Sequence, residues 1–93
     1  MGSPADAEFL EFDEGNEEHA TAKGVSVDEL QQVFENRPRW LPNKKGRTAT
    51  YLMVGRTKGG RPIVAAVIYD EIRRTIRPIT SRRCEDHEVK KWL

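Results

Sequence analysis

The chain has 93 residues, of which 16 are Lys or Arg and 15 are Asp or Glu, for a formal charge of +1. That length allows one domain with a small core rather than two. No apolar run approaches the ~18 residues of a membrane span, the first residues lack the pattern of a signal peptide, and the single cysteine, Cys84, excludes an internal disulfide framework and points to a reducing, cytoplasmic setting.

Residues 1–7 are small and polar and carry Pro4, which reads as a disordered tail ahead of a single domain over 8–93. Phe9–Phe12 predicts a short strand. Asp13 reads as the N-cap of a helix over about Glu14–Lys23, with Glu14, Glu17 and Glu18 complementing its dipole and Gly24 as its left-handed stop. Ser26 and Glu29 form a capping box that opens a second helix. Val27, Leu30, Val33 and Phe34 share one face of it, and Arg37-Pro38 ends it.

From there the period changes. Arg37–Arg47 reads as loop, with a short strand around Trp40. Thr48–Arg56 and Arg61–Tyr69 predict a hairpin turning on Gly59-Gly60. Thr75–Ser81 predicts a further strand, in which Pro78 requires an edge or a bulge. Glu85–Leu93 predicts a terminal helix anchored by Trp92. The element order β-α-α-β-β-β-α places the helices first and a meander second, hence α+β.

The near-zero net charge hides an asymmetry. Residues 1–36 hold ten acids and one base, whereas residues 37–93 hold fifteen bases and five acids. Either the halves neutralise each other across the fold, or the basic half meets an anionic partner. No catalytic signature of the P-loop, G-x-S-x-G or H-E-x-x-H kind occurs, and two histidines with one cysteine predict neither a metal site nor a cofactor.

Arginines on strands are the most suggestive feature. Arg56, Arg61, Arg77, Arg82 and Arg83 sit at or within the predicted strands, and guanidinium groups bind phosphates bidentately. Strict alternation would put Arg77 on one face with Ile79 and Ser81, and Arg82 on the other. His19 and Lys23 lie four residues apart, so a helix would project both from one face as candidate proton acceptors. Trp92 could stack on a base, although a core anchor is the more ordinary role. Glu88 is expected to meet Lys91 or an arginine of the sheet.

Taken together, Phe9–Gly24 (FLEFDEGNEEHATAKG), Val25 with the helix Asp28–Phe34, Val54-Gly55-Arg56 with Gly60-Arg61, Arg77–Arg82 (RPITSR), Glu88 and Trp92 resemble the BrnT family of bacterial type II toxin–antitoxin systems. The likeness consists of many small matches in the right order across nearly the whole of Phe9–Trp92. The resemblance implies a RelE-like ribonuclease fold, with two N-terminal helices on a small antiparallel sheet and a C-terminal helix. It implies metal-independent cleavage of RNA, in which the 2′-hydroxyl attacks a phosphate held by basic residues. It also implies neutralisation by an antitoxin protein of ribbon-helix-helix type.

On that likeness the catalytic candidates are His19, Lys23, Arg56, Arg77 and Arg82. Arg61, Arg83 and Trp92 would bind RNA, and Glu88 would give structural support. The sequence departs from the family pattern in having Lys23 where the family has histidine, with His19 one turn earlier, and Trp92 in place of a tyrosine. A second reading therefore stands beside the endoribonuclease: a catalytically silent module of the same fold that binds RNA or protein. A domain this small, with short sheet edges, also makes a homodimer an expectation.

Overall fold

A computed structural model describes residues 2–93. In chain order the elements are β1 (Phe9–Leu10), α1 (Glu17–Ala20), α2 (Val27–Glu35), β2 (Arg39–Pro42), β3 (Tyr51–Arg56), β4 (Pro62–Asp70), β5 (Thr75–Arg83) and α3 (Asp86–Trp92). The class is α+β. The five strands form one sheet in the order β1-β5-β4-β3-β2. β2 through β5 pair antiparallel, but β1 runs parallel to β5, so the sheet is mixed and not purely antiparallel as expected. The reason is topological. A chain that leaves β1 through two helices and returns through a four-strand meander brings β5 back alongside β1 in the same direction.

Two apolar layers sandwich the sheet. On one face, Leu30 and Val33 of α2 pack with Val25 onto Met53, Ile63, Ala65, Val67 and Ile76. On the other face, Val54 and Val64 pack with Cys84, and Val89 and Trp92 of α3 cover them with Leu41 and Leu52. Burial of side chains of this size contributes roughly 1.5–3 kcal/mol each. β3 and β4 feed both layers, which is why their sequences are nearly continuous in apolar residues. At Gly55 the helical layer lies close against the sheet. A Cβ there would lie 3.1 Å from Val33 Cγ1 and 3.3 Å from Pro38 Cα.

The local chemistry of the helix ends is as read from the sequence for α2. Ser26 accepts from Glu29 N–H and Glu29 accepts from Ser26 N–H. Gly24 has φ +86° but is not the helix stop that was expected, because α1 ends at Ala20 with Thr21 at its cap. The first helix is shorter than expected. It begins at Glu17 with Asn16 at the cap position, and Asp13 instead bends the chain ahead of it by accepting from Gly15 N–H at 2.7 Å. Residues 4–6, expected within a disordered tail, form a 3-10 turn with Pro4 buried and a Ser3–Asp6 capping box. No described helix is long and apolar enough to cross a membrane.

One irregularity governs the rest. β5 pairs Pro78 with Val67 and Thr80 with Ala66, leaving Ile79 as an extra residue. Pro78 has no N–H to give the ladder, so a break in pairing here costs little. The two carbonyls at the bulge are taken by α1 and its cap. Asn16 Nδ2 donates to Pro78 O at 2.9 Å, and His19 Nδ1 lies 2.8 Å from Ile79 O.

Candidate nucleic-acid interface

The bulge decides which β5 side chains face α3. Beyond Ile79 the parity of the strand reverses. Ser81, paired with Ala65, turns toward the helical side, where its Oγ donates to Ala20 O at 2.6 Å. Arg82, paired with Val64, turns to the opposite face. Strict alternation had placed Arg77 and Arg82 on opposite faces. The extra residue puts both on the α3 side.

That side carries a cleft of about 690 Å³, walled by β2–β5, the loop after β2 and α3. Its lining holds five bases (Lys23, Lys44, Arg47, Arg82 and Lys91) and one acid, Glu88. Leu41, Leu52, Val64 and Ala66 contribute apolar surface, Trp92 an aromatic wall, and Thr80 and Asn43 polar groups. Excess positive charge beside an aromatic ring is the composition that single-stranded nucleic acid favours, because phosphates and base faces are served together.

Arg82 and Glu88 form a bidentate ion pair in this cleft. Nη1 and Nη2 of Arg82 meet the two carboxylate oxygens of Glu88 at 2.5 and 2.7 Å. Glu88 Oε1 also accepts from Glu85 N–H at 2.8 Å, completing the capping box of α3. The Arg82 guanidinium and that N–H hold the buried Glu88 carboxyl at about 2, against the desolvation that would raise it. Glu88 thus meets an arginine of the sheet, as expected, and fixes the planar fork of Arg82 in the cleft.

Lys23 also lines the cleft, although α1 ends at Ala20 and the lysine lies in the turn that follows. The common helix face expected for His19 and Lys23 therefore does not form. His19 is exposed, and its bond to Ile79 fixes the ring chemically. A carbonyl only accepts, so Nδ1 carries the hydrogen and Nε2 holds the lone pair in the neutral ring.

The remaining arginines are dispersed. Arg77 donates to both oxygens of Asp13 at 2.8 and 2.9 Å and to Glu11 at 3.4 Å, so it serves the junction of β1 with β5 and does not line the cleft. It holds the Asp13 carboxyl at about 2. Arg61 bridges Glu29 at 2.7 Å and Gly24 O at 3.1 Å, which ties α2 to the hairpin, and it is not among the residues that line the cleft. Arg73 and Arg74 pair with Glu11 and Glu8. Acids of the first third thus neutralise four arginines of the second half, while the cleft keeps its charge. Arg56 and Arg83 line a separate groove behind α3. Of the five catalytic candidates, only Lys23 and Arg82 share the cleft lining, and His19 adjoins it through Ile79.

Lys44, Arg47 and Lys91 were missed by the sequence reading. Lys44, Lys45 and Arg47 form a basic cluster around Gly46, within a segment whose prolines and glycine read as loop. Lys91 lies beside Trp92, so α3 carries cation and aromatic ring together. Among the described residues, no three His, Cys, Asp or Glu side chains cluster as metal ligands would. No family model, curated protein or solved structure matches this chain.

Proposed function

We propose that the chain is a BrnT-like toxin of RelE-like fold, a metal-independent endoribonuclease that takes single-stranded RNA in the cleft between β2–β5 and α3. The observation that carries this reading is the convergence of five bases and Trp92 on one concavity whose only acid is already bound to Arg82. The order of elements is consistent with the fold: one strand, two helices, an antiparallel meander and a terminal helix.

In this mechanism Arg82 and Lys23 hold the non-bridging oxygens of a phosphodiester, and Lys91 and Lys44 hold its neighbours. The 2′-oxygen attacks phosphorus and gives up its proton to Nε2 of His19, whose tautomer the Ile79 carbonyl sets. The O2′–P bond forms, the P–O5′ bond breaks and O5′ takes a proton from a cationic group. The products are a 2′,3′-cyclic phosphate and a 5′-hydroxyl. A bacterial cytoplasmic antitoxin of ribbon-helix-helix type would silence the toxin by covering the cleft with acidic side chains.

The second reading, a silent RNA- or protein-binding module, is favoured by one observation. Two of the three arginines implied by the resemblance, Arg56 and Arg77, are absent from the cleft lining. The test is cleavage of RNA in EDTA by wild type, Arg82→Ala and His19→Ala, prepared identically, with the product ends mapped. Cyclic phosphate ends made by wild type and reduced in both variants support the nuclease. RNA binding without cleavage supports the module, and neither binding nor cleavage rejects both.

A further inference from the structure

α3 has two working stripes. Glu88, Lys91 and Trp92 stand at i, i+3 and i+4 and line the cleft. Asp86, Val89 and Lys90 repeat that spacing two residues earlier, about 160° round the helix, and line a second groove of about 410 Å³. Lys90 and Lys91 therefore serve opposite sides of one short helix. The second groove also holds Arg56 from the end of β3, Gly60 and Pro62 from the hairpin, and Arg83 with Cys84 from the end of β5.

Its charge is unspent. Arg56, Arg83 and Lys90 are exposed, and among the described residues none makes an ion pair. Arg56 Nη1 donates to Gly60 O at 3.1 Å, which fixes one edge of its fork and leaves the rest of it free. This contrasts with Arg61, Arg73, Arg74 and Arg77, each of which has a carboxylate partner. Asp86 is the one acid in the groove. Two guanidinium forks and an ammonium without carboxylate partners suit a phosphodiester, whose oxygens match the fork geometry.

We infer that the groove formed by Arg56, Arg83 and Lys90 is a second phosphate-binding site, which holds the backbone of a single RNA strand that leaves the main cleft and crosses α3. The inference rests on the reading of the cleft as an RNA site for its direction of travel, but the groove's own cations make its ligand class independent of catalysis. The crossing spans about one helix diameter, about 10–12 Å. A strand of very few nucleotides would occupy one site, and a longer one would occupy both.

The test uses RNA with every 2′-hydroxyl methylated, so that nothing is cut, at lengths of about 4 and about 16 nucleotides, the range of ordinary single-strand sites. Affinity is measured against salt for wild type, Arg56→Gln/Arg83→Gln and Lys23→Gln/Lys91→Gln. The groove predicts tighter binding of the longer RNA by wild type and loss of that gain in Arg56→Gln/Arg83→Gln. The slope of log affinity on log salt should become shallower by about 1.4, at about 0.7 per lost contact. Arg83→Glu, at a side chain that makes no bond among the described residues, repeats the test without disturbing the Gly60 turn.

If the groove variants bind the longer RNA with wild-type affinity and slope, the inference is overturned while the cleft reading stands. If only the groove variants weaken binding and the cleft variant does not, the second site stands and the cleft reading fails. If wild type binds neither length, both are rejected.

Discussion

Glu88 holds Arg82 with both carboxylate oxygens and the Glu85 N–H with one of them, so a single buried carboxylate orders a strand side chain and caps a helix. Its depressed titration gives a pH signature. The group ionises at about 2 in the fold and near 4.5 when free. The folded value lies below the unfolded one, so the stabilisation is complete above about 4.5 and is lost as pH falls toward about 2. After screening at the partly exposed Arg82 is allowed for, the loss is on the order of 2 kcal/mol. Urea midpoints measured from neutral to acid pH should fall for wild type across that window. Glu88→Gln should start lower at neutral pH and fall less. Parallel acid limbs in the two proteins would contradict this assignment.

Asp13 should report on Arg77 in the same way. The arginine holds its carboxyl at about 2, so Arg77→Ala should return the Asp13 titration, followed by carboxyl NMR, toward the ordinary carboxylate range near 3.9. An unchanged titration would show that the hydrogen bonds from Gly15 and Asn16 N–H suffice without the arginine.

Asn16 is the polar knot of the N-terminal half. Its Nδ2 donates to Glu11 O at 3.0 Å and to Pro78 O at 2.9 Å, while Oδ1 accepts from Asp13 N–H at 2.8 Å. The residue is buried. Asn16→Ala strands two carbonyls and one N–H and should cost about 2–4 kcal/mol, read as a drop in denaturant midpoint. Asn16→Asp should cost no less, because a carboxylate turns two donated bonds into repulsions.

Gly55 tests the closeness of the helical layer to the sheet. An alanine methyl would press on Val33 Cγ1 and on Pro38 backbone, at 3.1 and 3.3 Å. The side chain can give way but the backbone cannot do so cheaply. Gly55→Ala should therefore destabilise by about 1–3 kcal/mol in thermal unfolding. Stability equal to wild type would mean that the Arg37–Pro38 turn yields freely.

The sequence reading located the local chemistry well and the convergence of side chains poorly. The Ser26–Glu29 box and the demand for a bulge or edge at Pro78 follow from neighbours in the chain, and each is visible in composition. The parallel pairing of β1 with β5 joins residues some sixty positions apart, and no local pattern encodes it. The site suffered from the same blindness. Arg56, Arg61, Arg77 and Arg82 look alike as strand arginines, yet their surroundings are a hairpin carbonyl, Glu29, Asp13 and Glu88 respectively. Which arginine keeps a free charge depends on acids brought in by the fold. Lys44, Arg47 and Lys91 gained their place because the loop after β2 and α3 wall one concavity.

Ile79 is a single inserted residue that holds no place in the ladder. Its removal would leave Thr80, Ser81 and Arg82 opposite Ala66, Ala65 and Val64, in plain alternation with Pro78. Arg82 would keep its face and its bond to Glu88. What would go is the carbonyl that sets the His19 tautomer. The deletion would thus separate two parts of the proposed site, freeing the ring that takes the proton while the cation that holds the phosphate stays where it was.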